Sequence, residues 1–115
     1  MIIDRENFDN NYKIFDKEIV VEIIDIFIEE YPDRIESFTK AIKTEDSELL
    51  RTTAHGFKGV LGNFFANNPY ELAKKLEAKG KSADFSDVET LFKELQDYCT
   101  DLIQELETIR YDYQN

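Results

Sequence analysis

Apolar residues recur every three or four positions along most of the chain, which is the spacing that puts side chains on one face of an α-helix. The first such stripe lies between Asp16 and Glu30 and predicts a long helix. Its apolar positions are Ile19, Val20, Ile23, Ile24, Phe27, Ile28 and Tyr31. Because proline disrupts a helix interior but suits a first turn, we expect Pro32 to end this helix or to begin a second one that ends near Thr44.

The middle of the chain predicts two more helices. One runs from about Asp46 to Asn63 and buries Leu50, Ala54, Phe57, Leu61 and Phe64. In the next, Asn68 is the expected N-cap, Pro69 occupies the first helical position and Gly80 closes the helix. The inward positions of this short helix are Leu72 and Leu76.

The last helix is predicted to begin at a capping box formed by Ser86 and Glu89 and to continue to Tyr113. Strand signals are weak, so we predict an all-α fold, an antiparallel four-helix bundle with a short additional N-terminal helix at about Arg5 to Lys13. The 115 residues suit a single domain (1–115) with its core in residues 16–113.

Composition excludes several classes of function. The net charge of −11, with no basic stripe, disfavours nucleic-acid binding. Cys99 is the only cysteine and has no Cys or His near it in sequence, so we expect it to be a buried apolar residue and expect no metal site. No apolar run suits a signal peptide or a membrane span, which favours a cytoplasmic protein. The 25 carboxylates show no inward-facing pair of the kind a hydrolase needs.

Glycines are concentrated in the third predicted helix. Three of the four glycines in the chain, Gly56, Gly59 and Gly62, lie within seven residues of each other. Each costs about 1 kcal/mol relative to alanine inside a helix, so a compensating role is expected. Packing against another helix could explain Gly56, but it explains Gly59 poorly because that position faces away from the predicted core.

The only histidine, His55, lies among these glycines. With about 100° per residue and the apolar stripe at zero, Lys58 falls at about 80°, Arg51 at about 100°, His55 at about 140° and Gly59 at about 180°. The imidazole is therefore predicted to face solvent with a lysine one turn away. Histidine is a suitable nucleophile near neutral pH, and an ammonium group can balance the charge of a phosphoryl group.

The segment Ala54-His55-Gly56-Phe57-Lys58-Gly59, followed by Gly62-Asn63, resembles the signature of histidine-containing phosphotransfer (HPt) domains. Flanking residues are also similar to those of the family, and the resemblance extends from about Asp16 to Tyr113. These flanking residues are Phe27, Pro32, Leu50, Arg51 and the run from Leu72 through Leu76 to Glu77.

The resemblance implies that His55 is the phosphoacceptor, that Lys58 compensates phosphoryl charge and that Gly59 makes room for a partner. We assign Arg51, Gly56 and Gly62 to the same partner-binding surface. The implied partners are receiver domains of response regulators and a hybrid histidine kinase, with Mg²⁺ supplied by the receiver and no cofactor in the chain itself. We expect a monomeric phosphoryl carrier rather than an enzyme.

One position departs from the family, which usually has a glycine where this chain has Phe65. On the helical wheel Phe65 falls at about 60°, so it either packs on the core or adds an apolar patch to the docking rim. The second possibility keeps open an alternative function, an adaptor that binds receiver or kinase domains without carrying phosphate.

A third hypothesis, the dimerisation domain of a histidine kinase, is disfavoured. Gly56 follows the histidine where that family has an acidic residue, and no proline follows within the next two turns.

Overall fold

The computed structural model describes residues 1–115 and contains five α-helices, with no β-structure beyond an isolated bridge between Ile3 and Ala66. The helices are α1 (Arg5–Tyr12), α2 (Lys17–Lys43), α3 (Ser47–Asn63), α4 (Asn67–Ser82) and α5 (Val88–Gln114). Helix α2 packs against α3 and α5, and α4 packs against the same two helices. Short connections make successive helices antiparallel. The predicted antiparallel four-helix bundle with a short N-terminal helix is confirmed.

The five helices and their connections bury one apolar cluster of 24 residues. The predicted inward stripe of α3 is confirmed, because Leu50, Ala54, Phe57, Leu61 and Phe64 are each at most 1% exposed. Burial of a large apolar side chain contributes roughly 1.5–3 kcal/mol, so this stripe fixes the rotation of α3 about its axis. Cys99 is wholly buried, as predicted.

The N-terminal helix closes one end of the bundle. Phe8 is buried in the common core, and its ring lies 6.3 Å from that of Phe64. The Tyr12 hydroxyl donates a hydrogen bond to the Asn63 carbonyl at 2.9 Å. These contacts hold α1 against the end of α3, about two turns beyond the histidine.

The expected break at Pro32 is wrong, because α2 continues through it from Lys17 to Lys43. Proline removes one backbone hydrogen bond and costs about 3 kcal/mol in a helix interior. Apolar residues on both sides of Pro32 pack on the same core, and their burial offsets that cost. The buried residues of α2 are Val20, Ile24, Phe27, Phe38 and Ala41.

Both predicted ends of α4 are wrong. The helix begins at Asn67 with Ala66 as its N-cap, so Pro69 is its third residue, where a missing N–H is also harmless. Gly80 does not end the helix, which continues to Ser82 and stops at Ala83 in a left-handed conformation with φ of 52°.

The predicted capping box before α5 does not form. The Ser86 hydroxyl donates to the Asp84 carboxylate at 2.6 Å, and α5 begins at Val88 with no side-chain cap. Hydrogen bonds from the Ser86 hydroxyl and amide, followed by one from Lys79, lower the pKa of Asp84 to about 2. The Ser86 hydroxyl is therefore bonded to Asp84 and does not cap the N-terminus of α5, where the sequence pattern placed it.

Across all five helices, none is both long and apolar enough to cross a membrane.

Candidate functional site

The imidazole of His55 projects from the face of α3 opposite its buried stripe, and its side chain is 67% exposed. This is the direction that helical geometry predicts. Because Ala54 and Phe57 on either side of it are wholly buried, the backbone that carries the ring is anchored to the core. The ring is accessible while its attachment is rigid.

A buried carboxylate joins His55 to Lys58. Oε2 of Glu77 lies 2.5 Å from Nδ1 of His55, and Lys58 Nζ donates to Oε1 of the same residue at 2.7 Å. The Glu77 side chain is only 7% exposed. A charged group is retained at such a position when partners satisfy both of its oxygens, as they do here.

The charge of Glu77 determines where the imidazole proton lies. The hydrogen bond from Lys58 lowers the pKa of Glu77, with further contributions from His55 and from the charges of Lys58 and Lys81, against the opposing effect of burial. The carboxylate is therefore ionised at neutral pH and can only accept hydrogen bonds. Because that carboxylate cannot donate, the neutral form of the His55 ring must place its proton on Nδ1, which leaves the Nε2 lone pair free.

Lys58 is held one turn from His55 and remains a cation. Its hydrogen bond to Glu77 raises its pKa, and its side chain is 22% exposed. The ammonium group uses one of its three donors on Glu77 and can offer the others to an incoming anion. The predicted placement of a lysine one turn from the histidine is present in the structure, and Glu77 on another helix hydrogen-bonds to both side chains.

The three clustered glycines are not required by the packing of the chain itself. A Cβ at Gly59 would meet nothing within 4 Å. A Cβ at Gly56 would lie 3.6 Å from Nη1 of Arg34, and one at Gly62 would lie 3.5 Å from the Tyr70 ring, both ordinary contacts. The structure therefore leaves open space at Gly59, one turn from His55.

The fourth glycine, Gly80, is required by packing. A Cβ there would lie 2.6 Å from the backbone nitrogen of Arg51 and 2.7 Å from its Cα. The absence of a side chain lets α4 approach α3 closely at this level of the bundle. Glu77 lies one turn before Gly80 and His55 one turn after Arg51, so this approach brings the carboxylate to the imidazole.

Arg51 forms no hydrogen bond with His55, Lys58 or Glu77. Its guanidinium hydrogen-bonds Glu48 on the same helix through Nη2 and Nε. Arg51 thus lies on the predicted face of α3, one turn from His55, while its charge is shared with Glu48.

Phe65 lies outside α3, contrary to its predicted place on the helical wheel. Helix α3 ends at Asn63, and Phe65 adopts φ of 57° in the left-handed region. Its amide donates to the Gly62 carbonyl, and the Ala66 amide donates to the Leu61 carbonyl, which together form a Schellman turn. Its side chain packs on the core, which favours the core interpretation over an exposed patch.

Glu77 is a site residue to which the sequence pattern gives no role. Its only signal was membership of the run Leu72, Leu76, Glu77 that resembles the family. No group of three or more His, Cys, Asp or Glu side chains is arranged to hold a metal ion.

Comparisons with known proteins agree with the resemblance to HPt domains. A family model described as the Hpt domain matches residues 22–109. The crystal structure of histidine-containing phosphotransfer protein B from Pseudomonas aeruginosa PAO1 matches with a TM-score of 0.89 and 22% sequence identity, over 97% of this chain and 96% of that chain. At this identity the structural likeness establishes the fold alone. The search of curated proteins found no significant match.

Proposed function

The chain belongs to the Hpt domain family, and we propose that it accepts a phosphoryl group on His55 from a receiver-domain aspartate and passes it to another response regulator. The observation that carries this proposal is the contact of His55 with Glu77. It leaves Nε2 as an exposed nucleophile on a ring that cannot rotate freely.

The transfer step follows from this arrangement. The Nε2 lone pair attacks the phosphorus of an aspartyl phosphate, the P–O bond to the aspartate breaks, and the aspartate leaves as a carboxylate with the bonding electrons. The imidazole then carries the phosphoryl group on Nε2, the proton on Nδ1 and a positive ring charge. Glu77 stabilises that charge at 2.5 Å, and Lys58 offers its ammonium group to the phosphoryl oxygens. The return step is the reverse.

The chain acts as a carrier in this scheme rather than as an independent enzyme. The receiver would supply Mg²⁺, which neutralises the charge of the phosphoryl oxygens. The cysteine-poor, acidic composition suits a monomer in the cytoplasm whose partners are receiver domains and a hybrid histidine kinase. Gly59, with Gly56 and Gly62, would leave room for the rim of the receiver pocket.

The proposal is tested by incubating the chain with a phosphorylated receiver domain and Mg²⁺. We expect the chain to acquire an acid-labile, base-stable phosphate, and we expect His55→Gln to abolish it without changing helicity. The control is Lys93→Gln, which removes a charge from an exposed side chain on α5. This variant should be labelled normally. Labelling that survives His55→Gln would overturn the proposal, and receiver binding without any labelling would favour an adaptor instead.

A further inference from the structure

Arg34 on α2 is the one arginine of the chain that donates no hydrogen bond to a carboxylate. Arg5, Arg51 and Arg110 each donate to an Asp or Glu side chain. The single carboxylate within ion-pair distance of Arg34 is that of Glu30, and its Oε2 lies 3.7 Å from Nη2, which is too long for a hydrogen bond. Nε of Arg34 is buried and has no hydrogen-bond partner. A buried donor without an acceptor is costly, so a partner that the chain itself does not supply is expected.

The guanidinium of Arg34 lies beside the part of α3 that carries His55. Nη1 would lie 3.6 Å from a Cβ at Gly56, the residue after His55, and Cζ lies 5.9 Å from the centre of the Phe57 ring. A surface cavity of about 320 Å³ extends from Arg34 to Thr52, one turn before His55, and no apolar side chain lines it. The Arg34 side chain is 26% exposed, so an anion on the histidine can approach it.

Nε2 of His55 faces the side of α3 on which Arg34 lies. The two nitrogens of an imidazole make their outer bonds in widely diverging directions, and Nδ1 of His55 is bonded to Glu77 on α4, so Nε2 faces away from α4. Around α3, Lys58 lies about 60° from His55 toward α4, and Gly56 lies about 100° from it toward α2. A group attached to Nε2 can therefore be approached by Lys58 from one side and by Arg34 from the other.

We infer that Arg34 is a second cationic ligand of the phosphoryl group on His55, and that its guanidinium leaves Glu30 to donate hydrogen bonds to the phosphoryl oxygens. This inference rests on the proposed function. A phosphoryl group carries close to two negative charges near neutral pH, whereas Lys58 supplies one positive charge that it shares with Glu77. The planar guanidinium matches two phosphoryl oxygens at once, and the greater charge of that group favours it over the single carboxylate of Glu30.

The carboxylates near Arg34 give the inference a second consequence. Glu30 and Asp33 line the same cavity as Arg34 and would repel a phosphoryl group on the neighbouring imidazole. Loss of the Glu30 charge would also release the guanidinium from its loose ion pair. Removal of the Arg34 charge should therefore disfavour the phosphorylated state, and removal of the Glu30 charge should favour it.

The test is made on the phosphorylated chain without a partner, so that docking does not affect the result. Each chain is phosphorylated with potassium phosphoramidate, and the pKa of the phosphoryl group is measured by ³¹P NMR. The equilibrium of phosphotransfer with a receiver domain is measured separately. The variants are Arg34→Gln, Arg34→Lys and Glu30→Gln. The control is Lys40→Gln, which removes one positive charge from an exposed position in the last turn of the same helix.

We expect Arg34→Gln to raise the pKa of the phosphoryl group and to shift the transfer equilibrium away from His55 by about fivefold, because a charge-assisted contact with the phosphoryl oxygens is lost. Arg34→Lys keeps the charge and should retain most of the native behaviour. Glu30→Gln should change both quantities in the opposite direction. Lys40→Gln should change neither.

An unchanged phosphoryl pKa in Arg34→Gln would overturn the inference and leave the proposed function in place. Equal effects of Arg34→Gln and Arg34→Lys, or of Arg34→Gln and Lys40→Gln, would do the same, because the charge at this position would then not be responsible. Failure of phosphoramidate to label His55 would also overturn the inference. The expected pKa pattern in chains that phosphoramidate labels on His55, but that no receiver labels, would support the inference and remove the proposed function.

Discussion

Gly80 and Arg51 are in direct backbone contact between α4 and α3, with no room for a methyl group between them. This contact sets the distance between the two helices one turn from the point where Glu77 reaches His55. The position of the imidazole relative to Glu77 therefore depends on Gly80, a residue without a side chain.

Gly80→Ala should destabilise the protein. The added Cβ would lie 2.6 Å from the Arg51 nitrogen, and overpacking of this kind costs about 1–3 kcal/mol. Separation of the helices should also weaken the contact between Glu77 and His55. Urea unfolding followed by circular dichroism measures the loss. Gly62→Ala is the control, since its Cβ makes an ordinary 3.5 Å contact and should raise stability by about 1 kcal/mol.

Glu77→Gln should slow phosphotransfer while leaving the bundle folded. The amide is nearly isosteric but removes the negative charge that fixes the Nδ1 proton and stabilises the charged ring. We expect a rate about tenfold lower, equivalent to one charge-assisted hydrogen bond. ¹⁵N chemical shifts of the imidazole should show the Nδ1–H tautomer dominant in the unaltered chain and depleted in the variant. An unchanged tautomer ratio would contradict the assigned role of Glu77.

Acid should remove the stabilisation that Glu77 provides. The carboxylate has a lowered native pKa, chiefly because of Lys58, so the unfolded chain binds more protons in the acidic range. Its contribution is complete above the ordinary pKa of 4.5 and is lost as pH falls through the lower native value. The measurement is the difference in unfolding free energy between His55→Gln and His55→Gln/Glu77→Gln chains from pH 6 to pH 2. A difference that does not shrink with acid would contradict the ionised assignment.

Gly59 should show opposite effects on stability and transfer. Gly59→Gln fills open space on an exposed helix surface and should raise stability by about 0.5–1 kcal/mol. The longer side chain would occupy the space that a receiver needs, so we expect phosphotransfer to fall at least about tenfold. Thermal unfolding and transfer rate are measured on the same preparation. Improved stability with unchanged transfer would show that the glycine makes no room for a partner.

Sequence periodicity was sufficient to predict the bundle, since the buried stripe of α3 and the outward direction of His55 depend only on helical geometry. It failed at Pro32 because the penalty for proline is local, whereas the burial that offsets it comes from other helices. It failed at Ser86 because Asp84 competes for the same hydroxyl. Helix ends are decided by contacts of this kind, which a local pattern does not contain.

The candidate site was only partly predictable for a related reason. His55, Lys58 and Gly59 lie on one helix, so their arrangement follows from spacing. The role of Glu77 depends on how closely α4 approaches α3, and that distance is fixed by Gly80. The local pattern around Gly80 predicts the end of a helix, because nothing local distinguishes a glycine that ends a helix from one that admits a neighbouring backbone.

The most direct test of the central claim is to determine which atom of the chain carries the phosphoryl group after transfer from a receiver domain. ³¹P and ¹⁵N NMR of the phosphorylated, ¹⁵N-labelled chain distinguish the two ring nitrogens, and the account predicts a single phosphoramidate on Nε2 of His55 with the proton retained on Nδ1 beside Glu77. A phosphate on Nδ1, or on any residue other than His55, would contradict it.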